Sequence, residues 1–135
     1  MPNASLKDME DKPLIMIVDD DPGVNELIKE YVETSGYRTL CVFDGLQAVQ
    51  VAGSRCPDLI LLDINIPAGG GEKVYSRLKL MRHTTAIPIL FVTGESPERI
   101  ANMVRDKGMS PEDIFAKPID FGVLLERIKN IFSEK

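Results

Sequence analysis

The sequence predicts an α/β fold, a doubly wound parallel sheet of five strands with helices on both faces. Three observations carry this. Five short apolar runs alternate along the chain with five stretches of helical character. The first run and the third are apolar at every position, as strands covered on both faces must be. A chain of 135 residues, 44% hydrophobic and 27% charged, suits one domain that buries a full core without disulfide staples.

The first twelve residues are polar with scattered charges and read as an N-terminal extension, 1–12, ahead of a domain over 13–135. Leu14-Ile15-Met16-Ile17-Val18 is the first strand. Asp21 then caps a helix with Pro22 at its first position. Val24, Leu27, Ile28, Tyr31 and Val32 form one stripe on it, and Gly36 stops it. Thr39 to Phe43 is a second strand, more polar at its start and suited to an edge. A short helix follows over Gly45 to Gly53, and Leu59 to Leu62 is the third strand. The glycines at 69–71 read as a flexible turn before a helix marked by Val74, Leu78 and Met81. Ile87 to Val92 is the fourth strand. Ser96-Pro97-Glu98 opens a helix carrying Ile100, Met103 and Val104. Ile114-Phe115-Ala116 is the fifth strand, and Phe121, Leu124, Leu125, Ile128, Ile131 and Phe132 line the last helix.

Several classes are disfavoured. No apolar run approaches the roughly 20 residues of a membrane helix, and Met1 to Lys7 hold no apolar signal core. A net charge of −5 opposes direct contact with nucleic acid or an anionic membrane. Cys41 and Cys56 lack metal-type spacing and read as reduced thiols, which points to the cytoplasm. The glycines at 69–71 lack a phosphate-loop pattern, and His83 reads as a surface residue near a helix end.

Right-handed crossovers place the C-terminal ends of parallel strands on one edge, where such sheets bind ligands. Strand one ends in Asp19-Asp20, strand three in Asp63, strand four in Thr93-Gly94 and strand five in Lys117-Pro118. Two ionised carboxylates about 4 Å apart repel by about 4 kcal/mol at an effective dielectric near 20, so the acids require a proton or a cation. A few oxygen ligands suit Mg²⁺, which keeps much of its water. A metal beside a carboxylate, a hydroxyl and an ammonium suits phosphoryl transfer, with a carboxylate able to accept the group as an acyl phosphate.

These residues resemble the receiver domain of two-component response regulators. The resemblance runs from about Pro13 to Phe132. It rests on Ile17-Val18-Asp19-Asp20-Asp21, Asp63-Ile64-Asn65-Ile66-Pro67, Val92-Thr93-Gly94 and Ala116-Lys117-Pro118, with Asp44-Gly45-Leu46-Gln47-Ala48 and Gly71 at the family's turn glycines. It implies the flavodoxin-like strand order 2-1-3-4-5. It also implies Asp63 as phosphoacceptor, with Asp20, Asp63 and the Asn65 backbone carbonyl as direct Mg²⁺ ligands and Asp19 acting mostly through a water. Thr93 would hydrogen-bond the phosphoryl group and Lys117 would pair with it. The Lys117–Pro118 peptide would be cis, and Gly94 would leave room for the phosphoryl group. Asn65 and Glu95 resemble the chemotaxis-type pair that governs attack of water, which implies comparatively fast self-dephosphorylation.

One position departs from the family. The aromatic expected three residues before the lysine is replaced by Ile114, and strand alternation directs Phe115 to the opposite face. The usual coupling of threonine to a rotating ring therefore has no ring at this switch position.

The resemblance implies a phosphorylation-dependent switch, not an enzyme, fed by a sensor histidine kinase or a histidine phosphotransfer protein and read by a downstream protein target. It is expected as a monomer or a phosphorylation-linked dimer. An alternative is a receiver fragment of a larger regulator or hybrid kinase. A haloacid-dehalogenase-like phosphatase is disfavoured because that chemistry needs an acid where Asn65 stands. A receiver-like binding module with an unused switch is disfavoured by the intact acidic, threonine and lysine set.

Overall fold

The computed structural model describes residues 11–67 and 70–133. The expected N-terminal extension lies outside the described residues except for Asp11 and Lys12, and so does Gly69. The elements are β1 (Leu14–Val18), α1 (Pro22–Thr34), β2 (Arg38–Val42), α2 (Gly45–Arg55), β3 (Leu59–Leu62), α3 (Gly70–Leu80), β4 (Ile89–Thr93), α4 (Pro97–Lys107), a 3₁₀ turn (Pro111–Asp113), β5 (Ile114–Ala116) and α5 (Phe121–Ser133). All strand pairs are parallel, in the order β2-β1-β3-β4-β5. This is the expected doubly wound sheet.

Strand alternation divides the core into two layers. Met16, Val18, Ile60, Leu62 and Phe91 face α2, α3 and α4 through Ala48, Ala52, Val74, Leu78 and Met103. Ile15, Ile17, Leu59, Leu61 and Leu90 face α1 and α5 through Ile28, Val32, Leu124, Ile128 and Ile131. β1 and β3 are buried along their whole length, which explains their unbroken apolar runs. β2 is an edge strand and only partly covered until Val42.

Several boundaries differ from the sequence expectation. β2 begins at Arg38, whose N–H bonds the Pro13 carbonyl, and stops before Phe43, whose N–H turns to the Gln47 side chain. β4 begins at Ile89 because Pro88 has no N–H and the Ile87 N–H closes a turn on Thr84. α2 continues past Gly53 to Arg55 and ends where Cys56 adopts a left-handed conformation (φ 45°) ahead of Pro57. Gly70 and Gly71 open α3 instead of forming a turn, and Met81 lies just beyond that helix.

The apolar stripe on α1 is also rotated. Ile28 and Val32 are buried, but Leu27 and Tyr31 are nearly half exposed, and Asn25 takes the buried place one turn before Ile28. Tyr31 finds its apolar partner sideways, stacked on Phe121 of α5 at 3.9 Å between ring centroids. Caps fall where expected: Asp21 Oδ1 accepts from the N–H groups of Gly23 and Val24, and Ser96 Oγ from that of Arg99.

Candidate functional site

The strand ends converge. Asp19 follows β1 directly, and its side chain is 2% exposed. Asp63 follows β3 and is 4% exposed as a residue. Thr93 closes β4 and is fully buried. Backbone bonds lock these ends together: the Asp63 N–H donates to the Val18 carbonyl at 2.9 Å, and the Lys117 N–H donates to the Thr93 carbonyl at 2.8 Å. The Lys117–Pro118 peptide is cis.

The Lys117 ammonium bridges two of the acids, 2.8 Å from Asp19 Oδ2 and 3.2 Å from Asp63 Oδ2. The remaining oxygens are held by backbone. Asp19 Oδ1 accepts the Asp21 N–H at 2.9 Å, and Asp63 Oδ1 accepts the Asn65 N–H at 3.1 Å. Asp20 is exposed and has no ion-pair partner among the described residues. Carboxylate oxygens of Asp19, Asp20 and Asp63 lie within 4.8 Å of one another. Three carboxylates against one ammonium leave an uncompensated formal charge of −2 when all are ionised. An all-oxygen set with excess negative charge fits a hard divalent cation, Mg²⁺ before Zn²⁺.

The electrostatics reflect this crowding. Burial pushes the Asp63 carboxyl above its ordinary pKa and the Asp19 charge adds to that, while the Asn65 N–H and Lys117 oppose it. Burial also pulls the Lys117 ammonium down, but Asp19 and Asp63 together outweigh it and hold its pKa above the ordinary lysine value.

Thr93 Oγ1 accepts the Glu95 N–H at 3.1 Å, which ties the hydroxyl to the β4–α4 loop. Glu95 is half-buried and the Asn65 side chain is exposed. Ile114 pairs with Phe91 in register and packs in the α2–α3–α4 layer, whereas Phe115 packs in the α1–α5 layer. A Cβ at Gly94 would meet nothing within 4 Å, so any crowding there would come from a bound group and not from the protein.

The sequence pattern passes over Asn25 and marks Gly71 only as a turn glycine. The Gly71 backbone lies against the end of β3 instead, where a Cβ would strike the Asp63 carbonyl oxygen and sit 2.7 Å from Ile64 Cα. Asn25 lies behind the acids, donating from its side chain to the Asp19 carbonyl. Its spacing was a usable signal, because Asn25, Ile28 and Val32 recur at i, i+3 and i+7 on the buried face.

This fold and acidic edge define a class, and comparison with known proteins identifies it. The family model of the response regulator receiver domain matches residues 15–129, and the chain belongs to that family. Sporulation initiation phosphotransferase F of Bacillus subtilis is 32% identical over 116 residues, covering 85% of this chain and 90% of that protein. The DNA-binding dual master transcriptional regulator RpaA of Synechocystis is 32% identical over 117 residues, covering 87% of this chain. The chain spans only 48% of that regulator's length. Among solved structures, the receiver domain of a sensor histidine kinase from Pseudomonas aeruginosa superposes with a TM-score of 0.81 and 25% identity, covering 90% of this chain and 98% of that one. That structure carries a magnesium ion coordinated in its active site cleft. Receiver domains are signalling switches of two-component systems that work with histidine kinases or phosphotransferases and with downstream targets. Among the described residues no helix is long and apolar enough to cross a membrane.

Proposed function

We propose that residues 13–135 form a receiver unit that takes a phosphoryl group onto Asp63 from a phosphohistidine of a sensor histidine kinase or histidine phosphotransfer protein. The observation that carries this reading is the buried Asp63 carboxylate, paired with Lys117 and set among two further acids. An Asp63 oxygen attacks phosphorus, the P–N bond breaks, and the donor imidazole leaves with the bonding electrons. Lys117, already 3.2 Å from Asp63 Oδ2, neutralises a phosphoryl oxygen, and the Thr93 hydroxyl hydrogen-bonds another.

Mg²⁺, when held by Asp20, Asp63 and the Asn65 carbonyl, supplies charge neutralisation for the transferred group. Asp19 has both oxygens engaged by protein donors, which supports its acting on the ion through water. Asn65 and Glu95 set access of water to the acyl phosphate and hence its lifetime.

The output follows from Thr93. Its hydroxyl accepts the Glu95 N–H and keeps its own proton to donate, so a phosphoryl group that draws the hydroxyl toward Asp63 pulls the β4–α4 loop with it and shifts α4 and β5. The groove between β5 and α5, lined in part by Ile114, Phe115, Pro118 and Val123, is where a protein target reads the change. The net charge of −5 favours a protein over nucleic acid as that target, and the free thiols of Cys41 and Cys56 support the cytoplasm as its compartment. Treatment with acetyl phosphate and Mg²⁺ adds one phosphoryl group by mass spectrometry, and Asp63→Asn abolishes the gain. An unmodified wild-type protein under these conditions would overturn the reading.

A further inference from the structure

We propose that Asn25 is a positioning residue for the acidic pair: by bonding the carbonyls of Asp19 and Val42, its side-chain amide fixes the direction in which Asp19 and Asp20 leave β1. The inference rests on the metal-site reading above and concerns a residue outside the set that would touch the ion or the phosphoryl group.

Asn25 lies in the first turn of α1, its N–H bonded to the carbonyl of the cap residue Asp21 at 3.0 Å. Its side chain points back into the fold and the residue is 1% exposed. Nδ2 donates to the Asp19 carbonyl at 2.8 Å and to the Val42 carbonyl at 3.1 Å. The Val42 carbonyl also accepts the Asp19 N–H at 3.2 Å. Both peptide groups flanking Asp19 are therefore tied to the end of β2, one directly and one through Asn25.

The second tie matters most. The Asp19 carbonyl belongs to the planar peptide that carries the Asp20 nitrogen, so fixing that oxygen fixes the plane from which Asp20 departs. Asp20 itself is exposed and has no ion pair among the described residues to orient it. Asn25 supplies that orientation from behind.

The other half of the amide shows that the donors are the reason for its presence. Asn25 Oδ1 is buried and has no hydrogen-bond partner among the described residues. Leaving a buried acceptor unsatisfied is costly, and a leucine or isoleucine at this place beside Ile28 and Val32 would avoid the cost. Turning the amide over would set Oδ1 against two carbonyl oxygens. A donor that reaches both carbonyls accounts for the residue. Groups that hold metal ligands in this way typically change metal affinity by about 10–100-fold when removed.

The test measures Mg²⁺ affinity by calorimetry, and thermal stability without metal, in the wild type, Asn25→Ala and Thr84→Val. Thr84 is an equally buried polar anchor at the far end of α3, with its hydroxyl on the Leu78 carbonyl at 2.7 Å. Asn25→Ala is expected to raise the Mg²⁺ dissociation constant about tenfold. Thr84→Val is expected to lose stability with Mg²⁺ affinity unchanged. Wild-type affinity in Asn25→Ala, or an equal loss in Thr84→Val, overturns the proposal. If Asn25→Ala does not fold, the wild type still decides. Because that NH₂ bonds the carbonyl of the peptide that carries the Asp20 nitrogen, the Asn25 side-chain NH₂ resonances are expected to shift during a Mg²⁺ titration with the midpoint of the Asp20 amide. Stationary Asn25 resonances overturn the proposal. A wild type that binds no Mg²⁺ overturns the metal reading itself, and this inference with it.

Discussion

The Lys117 ammonium lies 2.8 Å from the buried carboxylate of Asp19, a residue 98 positions away in the chain. It reaches Asp63 as well, so one cation serves two acids. Removing it leaves two buried carboxylates uncompensated. Because the lysine side chain is 24% exposed, the cost falls at or below the lower end of the range for broken buried pairs. Lys117→Ala should lose about 2 kcal/mol of metal-free stability in urea unfolding. Millimolar Mg²⁺ should restore a large part of it. A loss that Mg²⁺ leaves untouched would mean that the lysine and the ion do not share the same charges.

The raised pKa of Asp63 has a defined sign in stability. The folded chain holds this proton where the unfolded chain has already released it. Metal-free stability should therefore fall as pH rises from the ordinary carboxylate value through the raised one. Asp63→Asn lacks the group and should show a flatter profile over the same window. Mg²⁺ favours the ionised carboxylate and should weaken the dependence. Identical slopes in wild type and variant, measured by thermal melting, would count against burial of a strained acid at this position.

Two glycines at the site should respond in opposite ways. Gly71→Ala drives a methyl into the Asp63 carbonyl and Ile64 backbone, and should cost about 1–3 kcal/mol as overpacking. It should also slow phosphorylation by displacing Asp63. Gly94→Ala meets open space and should change stability by less than about 0.5 kcal/mol. If it still slows phosphorylation by acetyl phosphate, the crowding comes from the phosphoryl group.

The lifetime of the acyl phosphate should be set beside Asp63. Asn65 is exposed and Glu95 half-buried, so both leave room for water. Replacing either with leucine should lengthen the decay several-fold after the donor is removed, followed by mass spectrometry. A wild-type phosphoryl group that persists for many hours would contradict the assignment of fast hydrolysis.

Much of this architecture could be read from residue order. β1 and β3 are legible because burial on both faces demands unbroken apolar runs, and the acids stand out because each follows such a run. Less legible features depended on partners distant in the chain. The start of β4 depended on which N–H groups the turn at Thr84 consumed. The stripe on α1 is rotated from its predicted place because Tyr31 satisfies its ring against Phe121, not against the sheet. Gly71 could not be distinguished from a turn glycine without the Asp63 backbone beside it. Ile114 and Phe115 were separable, since alternation alone assigns them to different layers.

The stacked rings of Tyr31 and Phe121 join the first helix to the last. Together these two helices roof one whole side of the sheet, over Ile15, Ile17, Leu59, Leu61 and Leu90. A shortened chain that stops after β5 would strip half of that roof away and wet the interior beneath it. The acidic edge could be spelled out in full in such a fragment, yet it would have no rigid floor to stand on. Any engineered fusion at the C-terminal side must therefore begin beyond Phe132, after the chain has closed over its own beginning.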